Sequence, residues 1–188
     1  MSFSKYVLEN TSKELSNLDN KEIYVQLLNY VKEQADKKAL NSDKKKVYYI
    51  SAEFLIGKLL SNNLINLGIY EEIEKELNAA NKRLSDVEEA ELEPSLGNGG
   101  LGRLASCFID SISSLGINGD GVGLNYHCGL FRQVFVKNEQ HAEPNFWIED
   151  SSWLRDTDVK YTVPFKNFNL TSTVNIKSVT LYLIWIMF

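Results

Sequence analysis

Four glycines fall within six residues of the chain, at Gly97, Gly99, Gly100 and Gly102. Apolar residues at helical spacing follow them at once, so the pattern predicts a flexible loop that opens a helix. Glycine lets the backbone approach a ligand closely, and the first turn of a helix offers unpaired N–H groups at the positive end of its dipole. The stretch therefore predicts an anion site, most naturally for phosphate, with a tight turn before a packed helix as the alternative.

A carboxylate that could bind a polar substrate follows the first predicted strand. The segment Val47–Ile50 is continuously apolar and rich in strand formers, which predicts a core strand buried on both faces. Glu53 comes just after it, at the strand end where open α/β sheets bind their ligands. Glu53 is therefore a candidate to hydrogen-bond a substrate. The alternative is a first-turn acid that stabilises the helix after it.

The glycines also match the pattern G-x-G-x-x-G, with Asp120 further along the chain. This match would indicate a nicotinamide-dependent oxidoreductase. A dinucleotide fingerprint must follow a buried strand, however, and here an acidic segment broken by Pro94 precedes the glycines. The oxidoreductase is therefore the less favoured hypothesis. A Walker-type phosphate loop is excluded, because no Gly-Lys-Ser/Thr follows.

Composition limits the function further. The 188 residues carry a net charge of −5, which argues against nonspecific binding to nucleic acid or to an anionic membrane. Two cysteines and two histidines without ligand spacing predict no metal centre. The start lacks a secretory signal, which leaves the cytoplasm as the expected location. The apolar run of residues 178–188 is about half the ~20 residues that a membrane-spanning helix needs.

Hydrophobic periodicity predicts the elements that must position these residues. Predicted helices cover residues 3–18, 20–38, 71–82 and 101–115, with a helix from residue 55 that ends at 66–68 and a short helix from residue 85. Predicted strands cover 122–126, 130–136, 161–165 and 168–174, with turns at 119–121 and 137–139. The face of the 101–115 helix that packs on the sheet is expected to comprise Leu101, Leu104, Phe108, Ile112 and Leu115.

Two tryptophans in an acidic loop give a weaker indication of ligand chemistry. Trp147 and Trp153 lie near Glu149, Asp150 and Asp156. An aromatic ring can stack on the apolar face of a sugar while carboxylates accept from its hydroxyls. The pair therefore suits sugar binding, and simple packing is the alternative.

Two long motifs resemble a known family. Residues 48–57, YYISAEFLIG, and residues 96–108, LGNGGLGRLASCF, are similar to the N-terminal part of the glycogen/starch (α-glucan) phosphorylases. Shorter matches at 121–126, 129–133 and 153–155 extend the resemblance over roughly residues 47–173. The resemblance implies an α/β fold that is part of the N-terminal Rossmann-like domain of a two-domain, GT-B-like glycosyltransferase.

The resemblance also implies a reaction and a site. The family cleaves a terminal glucose from an α-1,4-glucan with inorganic phosphate, releases glucose 1-phosphate and uses pyridoxal phosphate. It would assign the backbone N–H groups of Gly99, Gly100 and Leu101 to the phosphate and the departing glucose, and Glu53 to the glucan. It further implies a homodimer for the full-length protein.

The chain is expected to comprise three segments, and it departs from the family pattern in part. Residues 1–46 are expected to form an N-terminal helical segment, residues 47–173 the phosphorylase portion, and residues 174–188 an atypical apolar tail from a truncated or frame-shifted reading. The Schiff-base lysine of the family belongs to its C-terminal domain, so no catalytic residue is expected here. The chain alone is expected to be inactive, and a noncatalytic glucan-binding or association fragment is the alternative.

Overall fold

The computed structural model describes residues 1–37, 45–149, 152–164, 171–181 and 184–187. It is a mixed α/β fold. The helices are α1 (Phe3–Thr11), α2 (Asn20–Lys37), α3 (Leu60–Leu67), α4 (Tyr70–Ala79), α5 (Leu84–Glu88) and α6 (Gly99–Ser114), with a 3₁₀ turn at Leu15–Asn17. The strands are β1 (Val47–Ile50), β2 (Gly119–Val122), β3 (Arg132–Val136), β4 (Glu139–Glu143), β5 (Leu154–Pro164), β6 (Thr171–Leu181) and β7 (Ile184–Met187).

Helices α1 to α5 surround the largest part of the apolar core. Phe3, Ile23, Leu60 and Leu77 from four of these helices are almost completely buried. The start of α2 is a capping box, because Glu22 N–H donates to the Asp19 carboxylate at 2.7 Å and Asp19 N–H donates to Glu22 at 2.9 Å. The predicted 3–18 helix is shorter than expected, since Ser12 adopts a left-handed conformation that ends α1.

A five-stranded sheet has the order β1-β2-β7-β6-β5. Strands β1, β2 and β7 are parallel, whereas β6 and β5 each run antiparallel to their neighbour. Strand β1 forms where it was predicted, but the prediction that it is buried on both faces was wrong. Tyr48 and Ile50 are 58% and 77% exposed, because β1 is the outermost strand of the described sheet.

Strand β2 replaces a predicted turn. Residues 119–121 pair with β1 in parallel, and only Val122 of the predicted 122–126 strand belongs to β2. Gly119 suits this position because an added Cβ would lie 2.8 Å from Cγ2 of Ile112 on α6. Gly119 therefore marks a close approach of helix and strand, and the segment is not a chain reversal.

Strands β3 and β4 form a separate hairpin. Its turn lies at Lys137 and Asn138, as predicted, and both residues have positive φ. Glu139 begins β4, a strand without a sequence signal because all five of its residues are exposed. Of the later predictions, residues 161–164 lie in β5 and 171–174 in β6, whereas residues 165–170 lie outside the described residues.

Helix α6 forms as predicted, but its apolar stripe is largely exposed. The expectation that this stripe is buried was wrong: Leu101, Leu104, Phe108 and Leu115 are exposed and Ile112 is half-buried. The Phe108 ring still stacks on Tyr49 of β1. The buried residues of α6 are Gly102, Ala105, Ser106 and Ile109. Small side chains let the helix lie close to the segment after β1, and this close approach decides which face is covered. None of the helices in the described ranges is long and apolar enough to cross a membrane.

Candidate functional site

The first turn of α6 has free donors. Gly99 begins the helix with φ +58°, a conformation that favours glycine, and the Asn98 side chain makes no capping hydrogen bond. Gly102 N–H donates to the Asn98 carbonyl at 3.3 Å, which closes the first helical turn. The N–H groups of Gly99, Gly100 and Leu101 precede that bond and have no intrahelical acceptor. Because these residues are exposed, the turn can accept an anion from solvent.

The other two glycines of the loop serve packing. A Cβ on Gly97 would lie 2.6 Å from the backbone N of Phe54, and one on Gly102 would lie 3.2 Å from that of Leu55. Phe54 N–H donates to the Leu96 carbonyl at 2.8 Å, and Leu55 N–H donates to that of Gly102 at 3.0 Å. The glycine loop is therefore fastened along the segment that carries Glu53.

Glu53 lies at the N-terminus of α6. Its Oε2 accepts a hydrogen bond from Asn98 N–H at 2.9 Å, and the side chain is half-buried. The alternative that Glu53 is a first-turn acid of the next helix in the chain is wrong, because α3 begins only at Leu60. The structure thus brings Glu53 and the glycine loop together, although they are 45 residues apart in sequence.

A pocket of about 240 Å³ opens beside this contact; its lining is Glu53, Ser95, Gly97, Asn98, Tyr126, Cys128, Gly129 and Leu130. Gly99, Gly100 and Leu101 follow Asn98 in the chain but do not line it. Sequence reasoning missed the far wall, Tyr126 to Leu130. Its signal lay in residues 121–126 and 129–133, which were predicted to form strands and to resemble the family but not to line the site.

Hydrogen bonds fix the far wall to the Glu53 segment. The Tyr126 hydroxyl donates to the Ala52 carbonyl at 3.1 Å, and the Trp147 indole N–H donates to the Tyr126 carbonyl at 3.0 Å. Gly129 N–H donates to the Asn145 carbonyl at 2.7 Å. The two walls of the pocket are therefore held in a defined relation before any ligand binds.

Pyridoxal phosphate does not fit this pocket. A Schiff base needs a lysine amine, and the residues that line the pocket include neither lysine nor arginine. The pocket offers carboxylate, amide, hydroxyl and backbone groups, which are the partners of sugar hydroxyls. No chemical step of the cofactor can be assigned to these residues.

The two tryptophans pack in the protein interior. Trp147 and Trp153 are 5% and 3% exposed, so the hypothesis that they stack on a sugar was wrong. The Trp153 indole N–H donates to Glu91 Oε1 at 2.7 Å. Their role is structural because neither ring face is open to solvent.

Glu91 is a buried carboxylate that joins three elements. It accepts hydrogen bonds from Leu59 N–H at 2.8 Å, from Leu60 N–H at 3.2 Å and from Trp153. Burial raises the pKa of Glu91 against the opposing effect of these donors, and it also raises the pKa of Tyr24 nearby. Glu91 thus fixes the start of α3, where the Glu53 segment ends.

The dinucleotide hypothesis has no support. Residues 91–98 form no strand before the glycines. Asp120 is buried and accepts a hydrogen bond from Lys46 Nζ at 2.9 Å. Within the described ranges, no three histidine, cysteine, aspartate or glutamate residues are grouped as metal ligands.

Comparison with known proteins identifies the family. A family model described as carbohydrate phosphorylase matches residues 77–184, so the match continues beyond residue 173. Maltodextrin phosphorylase of Streptococcus pneumoniae serotype 4 is 58% identical over 182 residues, which cover 97% of this chain and 24% of that protein. Glycogen phosphorylase of Haemophilus influenzae is 50% identical over 102 residues, which cover 54% of this chain and 12% of that protein.

The glycogen phosphorylase of Bacillus subtilis is 43% identical over 120 residues, which cover 63% of this chain and 15% of that protein. The chain spans about a quarter of the length of the streptococcal relative, in its N-terminal part. The family model alone covers more than half of the chain. The chain therefore belongs to the carbohydrate phosphorylase family.

Proposed function

We propose that this chain is the N-terminal part of an α-glucan phosphorylase. The reaction transfers the terminal glucose of an α-1,4-glucan to inorganic phosphate. The glycosidic bond at C1 breaks, a bond from C1 to a phosphate oxygen forms, and the departing glucan oxygen takes up a proton. The products are glucose 1-phosphate and a glucan shorter by one residue. Family membership and the relatives named maltodextrin and glycogen phosphorylase support this proposal.

The observation that carries the site assignment is the free first turn of α6 beside Glu53. We assign the N–H groups of Gly99, Gly100 and Leu101 to the reacting phosphate and the departing glucose. Three N–H groups without an intrahelical acceptor and the positive end of a helix dipole stabilise an anion there. Preorganised donors of this kind stabilise charge that develops in a transition state.

Glu53 is assigned to the glucan. A half-buried carboxylate that lines a pocket of about 240 Å³ can accept hydrogen bonds from sugar hydroxyls. The Asn98 N–H bond orients Glu53 and so fixes its position relative to the phosphate donors.

The remaining groups of the reaction must come from residues outside this pocket. The family resemblance implies pyridoxal phosphate on a lysine of a second domain, in a two-domain, GT-B-like, homodimeric and cytoplasmic protein. The pocket lining without lysine or arginine agrees with a cofactor and a phosphate-binding cation supplied from elsewhere. The 188-residue chain alone is then expected to be inactive.

The test is phosphorolysis of maltoheptaose with added pyridoxal phosphate, followed as glucose 1-phosphate release. We expect no release by the 188-residue chain and release by a polypeptide in which the rest of a phosphorylase follows it. Release by the chain alone would show that the assignment of the cofactor to another domain is wrong. No release by the extended polypeptide, if folded, would contradict the proposed function.

Amide NMR spectra of the 188-residue chain test the site itself. Inorganic phosphate should shift the resonances of Gly99, Gly100 and Leu101 in a saturable way, and maltoheptaose should shift those of Asn98 and Tyr126. Gly116, at the other end of α6, is the internal control. Shifts by maltoheptaose without turnover in any extended form would favour the noncatalytic glucan-binding alternative.

A further inference from the structure

Lys32 of α2 lies against the segment that leads into β5. Its Nζ donates a hydrogen bond to the Ser152 carbonyl, which is 120 residues away in sequence. One turn further along α2, both carboxylate oxygens of Asp36 accept from Nη1 of Arg155 at 3.0 Å. Because residues i and i+4 of a helix are neighbours, the groups of Lys32, Asp36 and Arg155 lie together. We call these three side chains with the Ser152 carbonyl the Lys32 cluster.

The Lys32 cluster holds two cationic side chains and one carboxylate. Lys32 and Arg155 are half-buried, and Asp36 is exposed. Burial first, and then the charge of Arg155, lower the pKa of Lys32 to about 8, while Asp36 opposes this shift. At about pH 7.5, roughly a quarter of the Lys32 amines are then uncharged, against about one in a thousand for an ordinary lysine. A half-buried lysine amine beside another cation is an activated nucleophile.

The donors of the cluster indicate which small electrophile suits this amine. Carbon dioxide converts a lysine amine into a carbamate, whose new group is a carboxylate. The Arg155 guanidinium has five N–H donors in a fork that fits carboxylates, so it can bind the carbamate while it holds Asp36. The carbamate nitrogen keeps one hydrogen, and the bond to the Ser152 carbonyl can therefore persist. A neutral acyl group on Lys32 would gain nothing from the charge of Arg155.

We propose that Lys32 is a site of reversible carbamate formation with dissolved carbon dioxide. The electron pair of the uncharged amine forms a bond from Nζ to the carbon atom. One carbon–oxygen π bond breaks, its electron pair stays on the oxygen, and the nitrogen releases a proton to water. Nothing is oxidised or reduced, and protonation of the nitrogen reverses the step. The modification replaces a positive charge by a negative one where α2 meets β5, and it does not depend on phosphorolysis.

The test is carbon-13 NMR of the 188-residue chain in the presence of carbon-13 bicarbonate, which supplies labelled carbon dioxide, at about pH 7.5. The lysine side chains carry nitrogen-15. A carbamate carbon on a lysine is then split by its one-bond coupling to Nζ, whereas a carbamate on the α-amine of Met1 is not. We expect one split resonance, which is lost in Lys32→Arg because a guanidinium keeps the charge but is never deprotonated.

Variants of the two neighbours separate a carbamate site from an amine that is only reactive. Arg155→Gln removes the cation that lowers the pKa of Lys32 and that would bind the carbamate, so the resonance should lose about two thirds of its intensity or more. Asp36→Asn removes the charge that opposes this shift and that competes for Arg155. The resonance should therefore gain intensity at carbon dioxide levels that leave most chains unmodified.

Lys21→Arg is the matched control. Lys21 lies on the same helix, its side chain is 65% exposed, and its Nζ pairs with Glu149 at 3.3 Å outside the Lys32 cluster. This variant should keep the resonance at full intensity. Circular dichroism of each variant chain verifies that it is folded.

A second measurement locates the group directly. Triethyloxonium converts a carbamate into its ethyl ester, and mass spectrometry of peptides from the wild-type chain should find an ethoxycarbonyl group on Lys32 and not on Lys21. Three results would overturn the inference. These are a folded wild-type chain without a split resonance, a split resonance that Lys32→Arg retains, and an intensity that Arg155→Gln and Asp36→Asn both leave unchanged. None of them bears on glucose 1-phosphate release, so this inference and the proposed function fail separately.

Discussion

The carboxylate of Glu53 accepts a hydrogen bond from the backbone N–H of Asn98 at 2.9 Å. This bond places a negative charge of the protein at the N-cap of α6, where the helix dipole favours it. It occupies one donor at the helix end and leaves those of Gly99, Gly100 and Leu101 for a ligand. Glu53 therefore has a structural role that can be measured without any substrate.

Removal of this acceptor should destabilise the chain. Glu53→Ala leaves the Asn98 N–H without its partner and is expected to lower the free energy of unfolding by about 1 kcal/mol. Glu53→Gln keeps an oxygen acceptor and should cost less. Urea unfolding followed by tryptophan fluorescence measures both. Glu93→Ala, at an exposed carboxylate in the segment that leads to Asn98, is the control. Equal effects of Glu53→Ala and Glu93→Ala would show that the bond contributes nothing.

The glycines of the loop should differ in their tolerance of alanine. Gly97→Ala would place a Cβ 2.6 Å from the Phe54 backbone N, and relief of that overlap should cost about 1–3 kcal/mol. Gly100→Ala meets no atom within 4 Å, and its stability should be unchanged or slightly higher because alanine favours a helix. Thermal unfolding compares the two. Equal melting temperatures would contradict the packing role of Gly97.

Glu91 should make stability depend on pH. Burial raises its pKa in the folded chain above the ordinary 4.5, so the folded state binds more protons than the unfolded state above that pH. The contribution of Glu91 to stability is therefore complete below pH 4.5 and is lost as the pH rises through the raised pKa.

In Glu91→Gln this pH-dependent contribution is absent. The free energy of unfolding in urea, measured from pH 4.5 to neutral, should fall more steeply for the wild-type chain than for this variant. The difference between the two profiles isolates Glu91 from other titrating groups. Parallel profiles would contradict the raised pKa.

The hairpin turn should respond to residues that favour positive φ. Lys137 and Asn138 have φ of 51° and 65°, which are values of a type I′ turn, where Asn-Gly is preferred. Lys137→Asn combined with Asn138→Gly should increase the hydrogen-exchange protection of the β3 and β4 amides. Lys137→Val should decrease it, because a β-branched residue disfavours this conformation. An identical effect of both changes would show that the turn does not limit the hairpin.

Local features of the fold could be predicted from the sequence. The strand at Val47–Ile50, the Asp19–Glu22 capping box and the start of α6 each depend on neighbouring residues, and all three form. Strand β4 could not be predicted, because its residues are polar on both faces and it forms only through the turn before it.

The orientation of α6 shows a second feature that the sequence could not predict. Its apolar periodicity predicted a buried stripe. Instead the smaller Gly102 and Ala105 are the buried residues, because they permit closer packing of α6 on the rest of the protein. Contact between Glu53 and Asn98 was equally beyond sequence reasoning, since it joins segments 45 residues apart. The assignment of Gly99, Gly100, Leu101 and Glu53 to ligands stays a prediction.

The position of β7 sets an order for folding. Among the described residues, β7 alone connects the β1–β2 pair to the β5–β6 pair, and Asp120 and Trp185 pair across 65 residues of sequence. Closure of so long a loop is slow compared with formation of contacts between helices that follow each other in the chain, such as α3 and α4. These neighbouring helices should therefore pack on each other early. During synthesis, the edges of β2 and β6 remain open until residues 184–187 leave the ribosome, and this interval is when the nascent chain is most prone to aggregate.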